Sequence, residues 1–176
     1  MRLYSAFTLA VGIVVVFVAR SATSVRAAQA PEIRVATVAD VQKRIKEPGA
    51  RAVLVNVWAT WCQPCVKEMP DILRAYRENK ARGLRLVLVS ADPKAKLPKV
   101  EKFLAGLGVD FPSYLKIGDD MQFIDGLDPK WDGTLPASVL FDGKGNKVQL
   151  WSGTVSYEAL TRKLSEVLGE QQRRNP

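Results

Sequence analysis

The sequence predicts an α/β domain whose central mixed β-sheet is covered by helices on both faces. Two apolar, β-branched runs, RAVLVNV at 51–57 and LRLVLVSA at 84–91, have the composition of buried strands. Segments with apolar residues at helical spacing follow them, and this alternation is typical of parallel strands with covering helices. A glycine-rich turn, DGKGN at 142–146, then joins two antiparallel strands, which makes the predicted sheet mixed.

The first half of the domain is expected to alternate strand and helix from its start. Residues 33–36 are predicted to form a short strand, and residues 38–46 a helix that ends at a Pro-Gly pair. The strand at 51–57 leads into a helix at 65–80, and the strand at 84–91 follows. These elements account for most of the predicted parallel sheet.

The second half continues the alternation and closes with a hairpin and a last helix. The predicted elements are a helix at 98–107, a strand at 114–117, a helix at 119–127, strands at 138–141 and 147–151, and a helix at 156–168 that ends at Gly169. We therefore expect one domain over residues 31–170, followed by a flexible basic tail at 171–176.

Length and composition fit one globular domain. The 176 residues suffice for a full core, and 47% hydrophobic with 25% charged residues exclude disorder for most of the chain. Without residues 1–30 the net charge falls to about +5, and the charges are interspersed. Because nucleic-acid binding requires a basic face, we expect no nucleic-acid partner. We also expect a monomer.

Residues 1–30 have the pattern of a signal peptide or an N-terminal membrane anchor. Arg2 precedes an uncharged apolar stretch at 6–19, and a small-residue segment with the form Ala28-Gln29-Ala30 follows. The stretch has the length of a signal h-region and is short for a membrane span. Under either interpretation the domain is extracytoplasmic, either periplasmic or anchored in the membrane and facing the periplasm or cell exterior.

The two cysteines of the sequence, Cys62 and Cys65, have C-x-x-C spacing directly after the strand at 51–57. This spacing serves zinc sites, structural disulfides and thiol-disulfide exchange. Zinc takes four ligands, mostly Cys and His, and the chain has no third Cys and no His. A disulfide that closes so short a loop removes little entropy from the unfolded chain. We therefore interpret the pair as a redox-active dithiol.

The helix predicted after the dithiol gives the two thiols different roles. Cys62 is placed where strand turns into helix, so its sulfur faces the unpaired N–H groups and positive end of that helix, which stabilise a thiolate. Cys65, one turn further, is expected to be more buried and to act as the resolving thiol. Pro64 fits the first helical turn, where a missing N–H is harmless. The apolar positions of this helix are Val66, Met69, Ile72, Leu73 and Tyr76.

The segment NVWATWCQPCVKEMP at 56–70 resembles the active site of the thioredoxin superfamily, specifically of its TlpA-like (ResA/DsbE-like) branch of exported thiol-disulfide oxidoreductases. The full W-A-T-W-C-x-P-C-x-x-E-x-P string after a strand is far more specific than C-x-x-C alone. The resemblance extends more loosely over about residues 31–168. It implies a thioredoxin fold in which residues 92–130 form an insertion between the third strand and the strand that follows a cis-proline.

The same resemblance implies roles for further residues. Pro136 matches the cis-proline across from the dithiol, which exposes the Leu135 backbone to an incoming substrate strand. Glu68 matches an acid beside the dithiol that would accept a proton and tune the cysteine pKa values; the alternative is a first-turn Glu that favours the helix dipole. Asn56 stands where cytosolic thioredoxins carry a buried Asp. Substrate docking is expected at Trp61, Gln63, Pro64, Trp131 and Leu135, with Trp58 either in that surface or in the core.

These residues favour a protein disulfide reductase that needs no metal or organic cofactor. Its redox centre is the Cys62–Cys65 disulfide, and Pro64 before the second cysteine is the arrangement of reducing thioredoxins. The expected partners are a disulfide-containing client, such as apocytochrome c or an oxidase-assembly protein, and a membrane thiol electron donor. Outside the cytosol such a donor is required, because an isolated dithiol drifts to the oxidised form.

Three alternatives remain open from the sequence. The dithiol could run in the opposite direction, as an oxidase or isomerase of exported proteins. A thiol peroxidase would carry P-x-x-x-[ST]-x-x-C, whereas Val55 and Ala59 occupy the Pro and Ser/Thr positions before Cys62. A non-catalytic binding module would leave the dithiol idle.

Overall fold

A six-stranded mixed sheet with five α-helices makes up the part of the chain that the computed structural model describes, residues 31–174. The predicted signal peptide or anchor at 1–30 lies outside the described residues. The strands are β1 (Ile33–Ala36), β2 (Ala52–Trp58), β3 (Leu84–Ser90), β4 (Ser113–Lys116), β5 (Ala137–Asp142) and β6 (Lys147–Ser152). The helices are α1 (Val38–Lys46), α2 (Gln63–Asn79), α3 (Leu97–Gly106), α4 (Asp120–Leu127) and α5 (Tyr157–Arg174).

The sheet has the strand order β1-β4-β3-β2-β5-β6. The first four strands in this order are parallel, and β5 pairs antiparallel with both β2 and β6. All seven residues of β2 are buried, as expected for a central strand with both faces covered. The predicted mixed sheet is therefore confirmed.

Two hydrophobic cores lie on opposite faces of the sheet. Because side chains alternate along a strand, β2 contributes Leu54 and Trp58 to one core and Val55 and Val57 to the other. The first core also receives buried residues of α2, α3 and α5, and the second receives those of α1 and α4. Helices thus cover both faces, as predicted.

The predicted elements are all present, and their bounds shift by about one or two residues except at the end of α5. The sequence prediction that Gly169 ends this helix is wrong, because α5 continues to Arg174 and includes the first four residues of the predicted tail. A glycine inside a helix costs only about 1 kcal/mol relative to alanine. Gly83, in contrast, has a left-handed φ of 98° and does end a helical segment.

Among the described helices, none has the length and apolar composition needed to cross a membrane.

Candidate active site

The dithiol lies at the junction between β2 and α2. The N–H of Cys62 donates to the carbonyl oxygen of Ala59 at 3.1 Å, which closes a turn and makes Cys62 the N-cap residue of α2. The N–H of Cys65 donates to Cys62 Sγ at 3.3 Å, and the two cysteines form a disulfide. Cys62 keeps 6% of its surface exposed and Cys65 none. Of the two cysteines only Cys62 therefore reaches the surface, and its sulfur lies at the positive end of the helix.

Exposed side chains lie next to Cys62 in the sequence. Trp61 is 60% exposed, and Gln63 and Pro64 are exposed as well. Trp58 is fully buried and packs against Phe103 with ring centroids 5.1 Å apart. Of the two roles considered for Trp58, the structure therefore assigns it to the core.

The Leu135–Pro136 peptide bond is cis, and it lies at the same end of the sheet as the dithiol. The register of β2 and β5 pairs Val57 with Ala137, so Pro136 comes level with the end of β2. The carbonyl oxygen of Pro136 accepts the N–H of Gly153 at 2.8 Å, which ties the proline to the loop before α5. Leu135 is half-buried.

Glu68 connects three elements of this region. One carboxylate oxygen accepts the side-chain N–H of Asn56 at 3.2 Å, and the other accepts the backbone N–H of Val155 at 3.1 Å. Asn56 also donates to Ser138 Oγ at 3.0 Å, two residues after the cis-proline. Burial raises the pKa of the Glu68 carboxyl above its ordinary value, and the two hydrogen bonds offset part of this effect. Glu68 also lines a shallow surface depression together with Gln63 and Pro64, so part of its side chain faces the surface.

A second buried carboxyl group holds the turn before the dithiol. Asp92, which follows β3, accepts the backbone N–H of Thr60 at 2.8 Å and the Thr60 hydroxyl at 2.6 Å. It also accepts the hydroxyl of Ser90 at 2.7 Å and donates its own N–H back to Ser90 Oγ at 3.0 Å. Asp92 was not predicted as a site residue, because an Asp before Pro93 has the pattern of an ordinary loop residue.

An apolar pocket of about 200 Å³ opens between Trp61 and α4. Trp131, predicted to dock substrate on the surface, is only 5% exposed and contributes to the wall of this pocket instead. Its indole N–H donates to the Thr134 carbonyl oxygen at 2.8 Å, which fixes the ring against the loop that leads to Leu135.

In the described part of the chain, no group of three His, Cys, Asp or Glu side chains comes together as a metal site would require. The chemistry available at this site is that of the dithiol, a buried carboxyl group and backbone N–H groups.

Comparison with known proteins agrees with this chemistry. The AhpC/TSA family model matches residues 26–149. The thiol-disulfide oxidoreductase ResA of Geobacillus kaustophilus is 30% identical over 139 residues, which cover 78% of this chain and 75% of that protein. A thioredoxin-family thiol:disulfide interchange protein of Chlorobium tepidum TLS, solved as a crystal structure, is 27% identical with a TM-score of 0.59, covering 73% of this chain and 85% of that one. StoA of Bacillus subtilis is 25% identical with a TM-score of 0.52, covering 67% and 84%. The chain therefore belongs to the AhpC/TSA family and is a thioredoxin-fold, ResA-like thiol-disulfide oxidoreductase.

Proposed function

We propose that this oxidoreductase works outside the cytosol and reduces disulfides in client proteins. The observation that carries the proposal is the unequal placement of the two cysteines. Cys62 caps α2 with its sulfur at the helix N-terminus, while Cys65 is fully buried one turn behind it. The Cys62 sulfur, at the helix N-terminus, is the better nucleophile. The buried Cys65 sulfur is protected from clients until a mixed disulfide forms.

The reaction consists of two exchanges. The Cys62 thiolate attacks one sulfur of the client disulfide, so that a Cys62–client bond forms and the other client sulfur leaves as a thiolate, which takes up a proton. Cys65 then loses its proton and attacks Cys62 Sγ, which releases the second client thiolate. The client gains two electrons, and the Cys62–Cys65 pair loses them and becomes a disulfide.

Glu68 is proposed to accept the proton of Cys65 in the second exchange. Its raised pKa makes it a better base than an exposed glutamate, and the depression that it lines with Gln63 and Pro64 gives the proton a route toward water. The hydrogen bonds from Asn56 and Val155 hold the carboxyl group in place. Glu68 thus acts on Cys65 rather than on the client.

Client docking is proposed at the rim around Cys62. An extended client segment would pair with the backbone at Leu135, next to the cis peptide bond, and would contact Trp61, Gln63 and Pro64. Trp61 offers a large exposed apolar surface beside the reactive sulfur. Trp131 would contact the client through the wall of the pocket that it lines, and not through an exposed surface.

Location and partners complete the proposal. The apolar stretch in residues 1–30 supports export, with the leader either cleaved or kept as an anchor. The client classes that the TlpA-like resemblance implies are apocytochrome c and oxidase-assembly proteins. A membrane thiol donor would return two electrons to the Cys62–Cys65 disulfide after each cycle. We propose that the chain acts as a monomer.

The peroxidase alternative finds little support in the turn before Cys62. Val55 and Ala59, which stand at its Pro and Ser/Thr positions, are fully buried apolar residues. A peroxidatic cysteine would need polar groups there to bind peroxide. Oxidase and isomerase activities use the same dithiol, so the redox potential distinguishes them from a reductase.

The direct test is to trap the mixed disulfide. We expect a full-length Cys65→Ser variant, reduced and then mixed with a disulfide-bonded client peptide, to form a stable covalent adduct through Cys62. Wild-type protein should release the reduced peptide instead. The readouts are intact mass and non-reducing gel electrophoresis.

The matched control is Cys62→Ser, which keeps the fully buried thiol of Cys65 and removes the thiol at the helix N-terminus. It should form no adduct. An adduct that forms through Cys65 in this variant, or none in Cys65→Ser, would contradict the assigned roles.

A further inference from the structure

The pocket beside Trp61 lies at the carboxyl ends of three parallel strands. Val57 of β2, Ala91 after β3 and Lys116 of β4 line it from the sheet, and Phe123 and Ile124 of α4 close it from outside. In α/β sheets this edge is where ligands bind. Trp61, the residue before Cys62, lines the pocket, whereas Cys62 does not, so the proposed disulfide exchange takes place next to the pocket and not inside it.

Two lining residues connect the pocket to the reaction. Trp61 is the residue before Cys62, and Leu135 is the residue before the cis-proline. A client segment that places its disulfide over Cys62 therefore passes the mouth of the pocket. One of its side chains can enter while the sulfur reacts.

The size of the pocket selects the kind of occupant. At about 200 Å³ it is smaller than the roughly 300–1,000 Å³ of small-molecule and cofactor sites. It has room for one large side chain. A protruding residue of a protein client therefore fits better than a free metabolite.

The charges of the pocket select the chemistry of that side chain. Lys116 and Asp120 are the charged residues that line it, and their Nζ and Oδ1 atoms form an ion pair at 2.5 Å. The Lys116 ammonium also donates to the Gly118 carbonyl oxygen at 3.3 Å and lies 5.5 Å from the Phe123 ring centroid. A charged occupant would lose hydration without gaining a free counter-charge, whereas an apolar one buries its surface against Trp131, Leu135 and Phe123.

We propose that this pocket is a specificity site that receives one uncharged, apolar or aromatic side chain of the client, next to the cysteine that Cys62 attacks. The inference rests on the proposed reductase function and adds the residue preference of its client. It assigns specificity to the sheet edge and α4 rather than to the dithiol.

The test uses disulfide peptides that differ at a single residue beside the attacked cysteine. Leu, Phe, Gly, Glu and Lys are placed in turn on either side of it, and kcat/KM for reduction by the full-length protein is measured. We expect the Leu or Phe peptide to exceed the Gly, Glu and Lys peptides by about tenfold at one of the two positions, since one side chain in an apolar pocket discriminates by about this factor.

Variants then assign the preference to the pocket. Ala91→Leu places extra atoms in it, and we expect the ratio of kcat/KM for the Leu peptide to that for the Gly peptide to fall close to one. The ratio cancels any loss that is common to both peptides. Ala105→Leu, the same change on the exposed face of α3, should keep the wild-type ratio. Should Ala91→Leu not fold, Ile124→Ala enlarges the pocket and should shift the preference from Leu toward Phe.

Each other outcome overturns the proposal. Equal kcat/KM values for all peptides would show that the pocket is not a specificity site, and they would still be consistent with the reductase function. A preference for the Glu peptide that Lys116→Met abolishes would identify an anion site instead. A preference that survives both Ala91→Leu and Ile124→Ala unchanged would place specificity elsewhere. Failure to reduce any of the peptides would contradict the proposed function itself.

Discussion

The carboxyl group of Glu68 joins the first turns of α2 to the cis-proline strand and to the loop before α5. Its partners, Asn56 and Val155, come from elements far apart in the sequence, and Asn56 reaches on to Ser138. Burial raises the pKa of this carboxyl, so it holds its proton at a higher pH than an exposed glutamate. Glu68 therefore places a titratable group in a hydrogen-bond network that links α2, β2, β5 and the loop before α5.

We expect Glu68→Gln to slow the resolution of the mixed disulfide by about 10²-fold, the usual contribution of a positioned general base. In wild-type protein the rate should fall as the pH drops through the raised pKa of Glu68, because the protonated carboxyl cannot accept the Cys65 proton. The variant should lack this decline. Stopped-flow measurement of thiol release from a preformed mixed disulfide, as a function of pH, gives both results.

The exposed Glu158→Gln variant is the control and should keep the wild-type rate and pH profile. A Glu68→Gln variant with the wild-type profile would leave Glu68 with a structural role in the helix. The Gln side chain fits the site. The Asn56 Oδ1 atom has no hydrogen-bond partner within residues 31–174. When the Asn56 amide is flipped, this atom can accept a hydrogen bond from the Gln amide.

Titration of Glu68 should also change the stability of the protein. Whereas the rate of resolution falls as the pH drops, the free energy of unfolding should fall as the pH rises. The native state binds the Glu68 proton more tightly than the unfolded chain does, because the native pKa is raised above the ordinary value of 4.5. The free energy of unfolding therefore decreases as the pH rises from about this value through the raised pKa. Relative to wild type, Glu68→Gln should gain stability in urea titrations as the pH rises above about 4.5, and an equal pH dependence of the two proteins would contradict the raised pKa.

At the residue scale, sequence reasoning identified the groups whose chemistry depends on local spacing. Cys62 at the N-cap and Cys65 behind it follow from a strand that runs into a helix, and the cis bond before Pro136 follows from the resemblance to the thioredoxin superfamily. Asp92 could not be predicted in this way. Its partner Thr60 is 32 positions away, and the parallel pairing of β2 with β3 brings the two together.

At the element scale, the end of β3 holds the turn between β2 and α2. Asp92 accepts both the N–H and the hydroxyl of Thr60, and the N–H of Ala91 donates to the Trp58 carbonyl oxygen at 2.7 Å. Thr60 itself stands two residues before Cys62. The position of Cys62 therefore depends on β3, which carries neither cysteine of the dithiol.

We expect Thr60→Val to lower the free energy of unfolding by about 1–3 kcal/mol. The valine keeps the shape of the side chain but removes the hydroxyl donor, which leaves a buried carboxylate oxygen of Asp92 with a lost hydrogen bond. Thr60→Ser retains the hydroxyl and removes one methyl group, so its loss should be smaller, at most about 0.8 kcal/mol. Urea denaturation measures both variants, and equal losses in Val and Ser would show that the hydroxyl bond to Asp92 does not stabilise the turn.

The starts of α1 and α4 lie within one residue of the predicted positions, and side-chain caps set both of them. Thr37 and Asp40 form a capping box at the start of α1, and Asp119 caps α4 by accepting the Gln122 N–H at 2.8 Å. The predicted end of α5 at Gly169 was wrong, because glycine alone does not stop a helix. It does so when the chain turns into the left-handed region, as at Gly83, and sequence does not show which glycines will do this.

At the scale of the whole molecule, the mixed sheet brings the dithiol, the cis-proline and the pocket to one edge. β2 carries the chain to Cys62, its antiparallel neighbour β5 begins just after Pro136, and the parallel neighbours β3 and β4 end at the pocket. The alternation of apolar segments predicted this sheet. The pocket was not predictable, because it forms between residues that are distant in the sequence and depends on how α4 packs against the sheet.

The proposed function requires that this dithiol gives electrons to its clients. The midpoint potential of the Cys62–Cys65 couple tests it most directly, measured on the full-length protein by equilibration with thiol buffers of known potential. A reductase is expected to have a potential near or below about −250 mV, close to that of thioredoxin. A value near about −120 mV, as in strongly oxidising disulfide donors, would show that the protein forms disulfides in its clients and does not reduce them.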